Sequence, residues 1–413
     1  MTASMLLVRI LAKWRIIAAG IGVFKVLLMV LIPPIPPPAG DIFNWAGLAA
    51  FDLGSLSSGH FPSVSATGIY GFMGLVLVPF YWFWTQLPIE HLPIKDIGYL
   101  YYTSTPAVLL SLLLNVPTFL ADIATGILVS KLVRQLTKSS SKSRLAFLAW
   151  FGNPFNIFWI NLYGGMDVIP ASVFVLAVLL GGERKWFRCG LCASVAAVLR
   201  VFPLFSFPFF LMAVRTEKIR GHVRLFSGFL VPLVLGLVIL YATGAGTLAA
   251  IAAIPLRQYW LMDFLGWSLT NQYVRLTLVL VALQFLISIR FWRRPILLHL
   301  VTASLLALFV GSYAYGSVGH HFLWVSPLLT VCVALNPGES WIFIFTFLTA
   351  SLYPPIFGAP AIPPLLGTFV GGAFYAAKTT YLLELNLRNI VPREIIESLK
   401  VWSSRLTMRT IQE

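Results

Sequence analysis

The chain has 413 residues, of which 59% are hydrophobic and only 10% are charged. Its mean hydropathy of +0.87 excludes a soluble domain, because such a domain must present far more polar surface to water. The net charge of +15 comes mainly from short basic clusters between apolar segments. That pattern is typical of a membrane topology signal, so we exclude nucleic acid as a partner.

Apolar segments of about 17 to 25 residues recur along the chain, and each can cross a hydrocarbon core about 30 Å thick as a helix. The sequence predicts an all-α, polytopic integral membrane protein with about 12 to 14 transmembrane helices. The short segments 189–200 and 203–214 are either two spans or two half-length helices that meet inside the membrane. The predicted spans are 14–34, 69–87, 99–115, 117–133, 145–163, 167–181, 189–200, 203–214, 225–243, 274–290, 296–315, 321–336, 340–357 and 365–383.

Basic residues cluster in the segments that join these spans. The positive-inside rule places the clusters in the cytosol, so both termini are predicted to be cytosolic. We expect one transmembrane domain over 1–383, with an extracytosolic loop at 34–68, and a cytosolic amphipathic tail at 384–413. The clusters are Arg9/Lys13/Arg15, Lys131–Arg144, Arg184–Arg188, Arg215–Arg224, Arg290–Arg294 and Arg388–Arg409.

Asp41 is the first carboxylate along the chain, shortly after the first predicted span. In the outer loop it can act as a general base on a hydroxyl or hold a divalent cation. The alternative is that Asp41 caps a surface helix that begins at Ile42. The acidic residues predicted to lie outside the cytosol or within the bilayer are all aspartates: Asp41, Asp52, Asp122, Asp167 and Asp263.

Two further aspartates are predicted to lie in or at the membrane. Asp122 lies inside its span, where a carboxylate is a functional candidate by default, although an interhelical hydrogen bond explains it equally well. Lys25, in the middle of the first span, either pairs with Asp122 or snorkels. Asp167 opens the sixth span, where it either caps the helix or contacts a substrate.

An ordered set of motifs runs from the first loop to about residue 330. In this order the motifs resemble those of the GT-C class of polyprenyl-phosphate-sugar-dependent glycosyltransferases, above all the glycosylphosphatidylinositol mannosyltransferase I family and its archaeal and bacterial relatives. The motifs are Asp41…Gly59-His60-Phe61-Pro62…Tyr70, Ala121-Asp122-Ile123, Gly152-Asn153-Pro154-Phe155-Asn156, Tyr163-Gly164-Gly165-Met166-Asp167, Leu199-Arg200-Val201-Phe202-Pro203 and His320-His321-Phe322-Leu323-Trp324-Val325-Ser326-Pro327.

The chain departs from the family pattern at three places. Ile69-Tyr70-Gly71-Phe72 stands where the family often has Tyr-x-Tyr-x-Pro, Gly165 stands where Gln is usual, and the first loop has no Asp-x-Asp. These departures bear on the identity of the substrate and on metal use. The residues are compatible with a divalent cation or with none, and they imply no other cofactor.

The resemblance implies an inverting transfer of a hexose, with mannose as the first candidate, from a polyprenyl-phosphate carrier to a lipid-linked or glycan acceptor. By this resemblance Asp41 is the catalytic base, and Arg200 binds the donor phosphate, for which a buried guanidinium is a natural bidentate partner. An ion pair of Arg200 with Asp122 or Asp167 is the alternative. Further substrate-binding candidates are Tyr70, Asp122, Asp167, Arg257, His320 and His321.

The expected partners are therefore a polyprenyl-phosphate sugar, the acceptor and membrane lipids, and the expected location is the plasma membrane of a prokaryote in preference to the endoplasmic reticulum. A second interpretation is a transporter or lipid flippase that uses Asp122 and Lys25 as a coupling pair. Against it stands the absence of a visible repeat between the two halves of the sequence. A scaffold subunit of a transferase complex is a third interpretation.

Overall fold

The computed structural model describes residues 11–32, 73–89, 104–200, 202–242 and 323–335, with isolated positions at 46, 47, 49, 50, 53, 54, 57, 297, 300, 301, 304 and 308. Every regular element in this part of the chain is a helix. The predicted spans 274–290, 340–357 and 365–383 and the tail 384–413 lie outside the described residues. So do most of the loop 34–68 and of the span 296–315.

Two of the described helices are long and apolar enough to cross a membrane, namely α1 and α3. The helices of the described chain are α1 (Trp14–Leu31), α2 (Met73–Thr85), α3 (Thr105–Thr137), α4 (Ser140–Phe151), α5 (Val168–Gly182), α6 (Trp186–Leu199), α7 (Phe207–Val214), α8 (Lys218–Ala242) and α9 (Ser326–Leu335), with a short helix at Pro154–Asn156, a π-helix at Ile157–Leu162, and 3-10 turns at Phe202–Ser206 and Arg215–Glu217.

The prediction of two spans at 99–115 and 117–133 is wrong, because α3 is one helix of 33 residues that contains Pro117. A proline inside a helix removes one backbone hydrogen bond and crowds the preceding turn. Buried polar side chains surround this position: the Thr118 hydroxyl donates to the carbonyl of Asn115 at 2.7 Å, and the Asn115 amide approaches the Ser111 hydroxyl at 3.4 Å. Neighbouring polar groups and packing against other helices allow such a helix to continue.

The segment predicted as the span 145–163 is interrupted. Helix α4 begins at Ser140, where the Ser139 hydroxyl accepts from the backbone N–H of Lys142 at 3.3 Å. It ends at Phe151, and Asn153 then caps the short helix Pro154–Asn156 by accepting from the N–H of Phe155 at 3.0 Å. The π-helix follows directly, and such segments occur frequently at functional sites.

Helices α5 and α6 form an antiparallel hairpin that closes through residues 183–185. The predicted span 167–181 is confirmed as a helix to within one residue, and the predicted break between 189–200 and 203–214 is confirmed between α6 and α7. At the end where this hairpin turns, the Gln135 amide near the end of α3 donates to Glu183 at 2.8 Å. We call this end of the bundle, formed by Lys131–Lys142 and Glu183–Arg188, the basic end.

Helix α2 and the isolated positions from 46 to 54 pack on the beginning of α3, far from the basic end. The described part of α2 has 13 residues and stops at Thr85, short of the predicted end at 87. Trp84 donates its indole N–H to the carbonyl of Pro106 at 3.0 Å, which fixes α2 to the first turn of α3. The buried apolar residues of this contact are Ala46, Ala49, Leu77, Tyr81, Trp84, Ala107, Leu110, Leu114, Met166 and Leu199.

Candidate functional site

Arg200 and Asp167 form a buried ion pair at the open end of the α5–α6 hairpin. Asp167 directly precedes α5, and Arg200 directly follows α6 with an extended backbone. The Nε of Arg200 donates to Oδ1 of Asp167 at 2.5 Å, and the two side chains are only 2% and 0% exposed. Two helices of nearly equal length that run antiparallel therefore bring the two charges face to face.

An aromatic stack lies next to this pair along the chain. Phe202, two residues after Arg200, stacks on Trp324 with ring centroids 4.4 Å apart and an interplanar angle of 14°. Both rings are buried. The segment that enters α9 is thereby tied to the break after α6. We call Asp167, Arg200, Phe202 and Trp324 the Arg200 cluster.

Gly164 and Gly165 form a tight turn directly before Asp167, in a backbone conformation that residues with a side chain adopt only with difficulty. Gly164 has a φ of 82°, in the left-handed region that side chains disfavour. The N–H of Gly165 donates to the carbonyl of Trp159 at 2.8 Å, and a Cβ on Gly165 would stand 2.6 Å from that oxygen. The chain therefore turns tightly from the π-helix into α5.

A second buried ion pair joins α1 to α3. The Nζ of Lys25 donates to Oδ2 of Asp122, and both side chains are 0% exposed. The indole N–H of Trp150 donates to Oδ1 of Asp122 at 2.8 Å and to its backbone carbonyl at 3.0 Å. The ammonium group also lies 4.0 Å from the centroid of the Phe151 ring, within the range of a cation–π contact.

Hydrogen bonds continue from Trp150 to α9. The Asn156 amide donates to the carbonyl of Trp150 at 3.0 Å, and the hydroxyl of Ser326 donates to Oδ1 of Asn156 at 3.1 Å. We call Lys25, Asp122, Trp150, Asn156 and Ser326 the Asp122 cluster. It connects α1, α3, α4, the Pro154–Asn156 helix and α9, and its members range from residue 25 to residue 326.

The two clusters lie at about the same height in the bundle. Asp122 lies 15 residues before the end of α3, and α5, which starts directly after Asp167, has 15 residues. At about 1.5 Å per residue, both carboxylates are about 22 Å from the basic end. The segment Leu323–Ser326 touches both clusters, through Trp324 and through Ser326.

The structure decides between several interpretations of single residues. Asp167 occupies the cap position of α5 without a side-chain capping bond, so the capping interpretation is wrong and its carboxylate binds Arg200 instead. The alternative of an Arg200–Asp167 ion pair is confirmed. So are the interhelical bond of Asp122 and its pairing with Lys25. A role for these residues toward a substrate stays a prediction.

The remaining predicted site residues lie outside the described residues: Asp41, Tyr70, Arg257, His320 and His321. Within the described ranges no group of three or more His, Cys, Asp and Glu side chains is arranged to hold a metal ion. Cys189 and Cys192 are both free thiols in α6, the first buried and the second partly buried.

Trp150 is the member of the Asp122 cluster for which the sequence analysis predicted no role. A buried indole needs an acceptor for its N–H, and Trp150 lies in an apolar stretch that follows a span with a carboxylate. Asn156 and Ser326 stand inside the motifs of the resemblance, but their partnership crosses 170 positions. A contact between residues so far apart in the chain cannot be inferred from the spacing of residues within a short stretch of sequence.

Comparisons of the chain with protein-family models, with curated proteins and with solved structures give no match.

Proposed function

We propose that this protein is a polytopic membrane glycosyltransferase of the GT-C class. It transfers a hexose, mannose in the first instance, from a polyprenyl-phosphate carrier to a lipid-linked or glycan acceptor on the extracytosolic side. One observation carries the proposal: motifs that resemble the family in their order along the chain also contact one another. Asp167 binds Arg200, Phe202 stacks on Trp324, and Asn156 binds Ser326.

The proposed topology keeps the basic end and both termini in the cytosol, in agreement with the positive-inside rule. Helix α1 crosses outward and α3 crosses back, so α2 belongs to the extracytosolic loop between them. A single α3 and a non-crossing α2 reduce the total to about 10 to 12 crossings. Both clusters then lie about 22 Å from the cytosolic end of a core about 30 Å thick, which is nearer to the extracytosolic face.

In the proposed reaction, the acceptor hydroxyl oxygen attacks the anomeric carbon as the bond from that carbon to the polyprenyl phosphate breaks. Asp41 takes the hydroxyl proton, and the phosphate leaves with the bonding electrons. Configuration at the anomeric carbon is inverted. Tyr70, Asp122, Asp167, Arg257, His320 and His321 are the proposed contacts to the two substrates, and a divalent cation is an optional aid to the departing phosphate.

Arg200 is the proposed phosphate ligand, and Asp167 sets the direction of its guanidinium. An arginine has five N–H donors in a rigid planar fork. A carboxylate on the Nε edge orients that fork, which then presents another edge to an oxyanion. A lysine keeps the charge at this position but cannot reproduce the fork.

The test is transfer from radiolabelled polyprenyl-phosphate mannose to extracted lipids by the purified protein. Asp41→Asn should abolish transfer while the donor still binds, and Arg200→Lys should weaken donor binding on the order of tenfold or more. Arg188→Lys, an exposed arginine at the basic end, is the matched control and should match the wild type. Full activity of both Asp41→Asn and Arg200→Lys would disprove the assignment.

A transporter or lipid flippase is the second candidate, and the buried Lys25–Asp122 pair between α1 and α3 favours it. Intramembrane ion pairs commonly mark coupling sites in transporters. Reconstituted into vesicles, a transporter should lose lipid or solute movement on Asp122→Asn and tolerate Asp41→Asn. The proposed transferase has the opposite dependence at Asp41. The proposed location in either case is the plasma membrane of a prokaryote.

A further inference from the structure

A cavity of about 440 Å³ opens at the basic end on the surface of α3. It is lined by Lys131, Arg134, Gln135 and Lys138. Lys131 and Arg134 are three positions apart and lie on one face of α3, and Lys138, the left-handed residue directly after the helix, lines the same hollow. All three are exposed.

The charge of this cavity is only partly offset by the described residues around it. In the part of the chain that the structure describes, no carboxylate stands within salt-bridge distance of Lys131, Arg134 or Lys138. Among the described residues, Glu183 is the acid nearby, and its charge interacts with that of Lys131. It binds Lys185 at 2.6 Å and accepts from Gln135 at 2.8 Å, and its hydrogen bond to Lys185 lowers the pKa of its carboxyl group. It therefore stays ionised but is already engaged.

The same face of α3 is apolar and exposed above the cavity. Val116, Leu120 and Ile127 are 39%, 58% and 44% exposed. At 100° per residue they lie on the same side of the helix as Lys131 and Arg134. A stripe of exposed apolar side chains thus leads along α3 into a hollow lined with three cations.

We propose that this surface of α3 binds an anionic phospholipid, with the headgroup phosphate in the cavity of Lys131, Arg134 and Lys138 and an acyl chain along Leu120 and Ile127. A phosphate alone would use the cations but not the stripe, and a zwitterionic lipid would use the stripe but gain little from three positive charges. The site is separate from the Arg200 and Asp122 clusters. It depends on the protein being embedded in a membrane but not on the transferase reaction.

The experiment is native mass spectrometry of the full-length protein in detergent, titrated with phosphatidylglycerol or with phosphatidylcholine. The variant Lys131→Gln/Arg134→Gln/Lys138→Gln should bind its first phosphatidylglycerol on the order of tenfold more weakly than the wild type. The control Arg188→Gln/Arg220→Gln/Arg224→Gln removes the same number of exposed positive charges from α6 and α8 and should stay within about twofold of the wild type.

Equal losses in the two triple variants would overturn the proposal, because net charge alone would then explain binding. Glycerol phosphate at millimolar concentration, which has the headgroup but no acyl chain, should not displace the lipid. If it does, the site is one for a soluble phosphate and the lipid assignment is wrong. The readout is retained lipid, so inactivity of the protein as a transferase would leave this result unaffected.

Discussion

Arg200 and Asp167 are charged residues that the fold holds away from water, and such a pair is stabilising only as a pair. Removing two ions from water costs several kcal/mol per ion, and their attraction offsets this cost only when the geometry is good. The two residues stand just outside the ends of α6 and α5. The distance between the two residues is therefore set by the lengths of α5 and α6, and it does not depend on the conformations of flexible side chains.

Asp167→Asn should lower the free energy of unfolding by about 3–5 kcal/mol, because the guanidinium would remain buried without its counter-ion. Adding Arg200→Met to this variant should restore part of the loss, since it removes the stranded charge. Thermal unfolding of the purified protein in detergent measures both effects. Glu217→Gln is the control: its pair with Arg184 spans 3.8 Å at the surface, and its loss should change stability by less than about 1 kcal/mol. Equal losses for Asp167→Asn and Glu217→Gln would contradict this view of the buried pair.

Trp150→Phe should destabilise the protein by about 1–3 kcal/mol, since Asp122 would lose a buried hydrogen-bond donor that nothing else replaces. The aromatic ring is kept, so the loss reports on the N–H more than on packing. Unfolding measured by circular dichroism in detergent gives the value. Trp82→Phe removes a half-exposed indole from α2 and should have almost no effect. A similar change in both variants would show that the bond to Asp122 contributes nothing.

At the scale of elements, the sequence predicted the positions of apolar helices better than their continuity. Hydrophobic runs placed α1, α5 and α6 to within about three residues at each end, because a long apolar run is what a helix needs to cross a bilayer. The predictions at two prolines were wrong in opposite ways. Pro117 was expected to lie near a break between two spans but lies inside a continuous helix. Asn153-Pro154 was expected to lie inside a span, but one helix ends before it and another starts there. The two prolines differ in their tertiary packing and in the hydrogen bonds around them, and neither can be predicted from the local sequence.

Helices α6 and α8 approach each other through two glycines. A Cβ on Gly190 would overlap the carbonyl oxygen of Leu225, and one on Gly228 would overlap that of Phe187. Small residues at membrane helix interfaces allow such close approach and bring Cα–H groups against carbonyl oxygens. The contact is reciprocal, so each helix supplies one glycine and one carbonyl.

Gly190→Ala or Gly228→Ala should cost about 1–3 kcal/mol, because backbone atoms must move apart to admit a methyl group. Gly20→Ala in α1 is the control, since a Cβ there meets nothing within 4 Å and alanine favours a helix by about 0.5–1 kcal/mol. Chemical unfolding of the three variants in mixed micelles compares them. The close-packed interface would be refuted if all three alanines were neutral.

At the scale of the whole molecule, the sequence indicated the two ion pairs only as alternatives to other roles, and it did not indicate the uncharged residues that contact them. Asp122, Asp167 and Arg200 stood out because charges are rare in apolar segments. The uncharged partners, such as Trp150 and Ser326, follow from the way that segments far apart in sequence assemble, and no rule of residue spacing predicts this assembly. The sequence predicted Lys25 as a possible partner of Asp122. It did not predict the contact of Trp150 with Asp122, because an indole is uncharged and is common in apolar segments.

The proposed topology predicts that the two ends of α3 face opposite sides of the membrane. Single cysteines at Thr105 and Ser140, both exposed, should react with a membrane-impermeant maleimide from opposite sides. The experiment requires a background in which Cys189, Cys192 and Cys332 are replaced by alanine, and it uses sealed vesicles before and after lysis. Labelling of both positions from the same side would show that α3 does not cross and would remove the basis for the proposed orientation.

Helix α1 has one fully buried residue, and that residue is Lys25. Its partner Asp122 is 97 positions further along the chain. At about 5–20 residues per second, the ribosome needs roughly 5–20 s to reach Asp122 after Lys25. A lysine at the centre of a bilayer helix costs about 2.5–3.5 kcal/mol, so in the proposed topology α1 is only marginally stable in the membrane during this interval. In the proposed topology, stable insertion of α1 therefore depends on the later synthesis of α3, which brings Asp122 to Lys25.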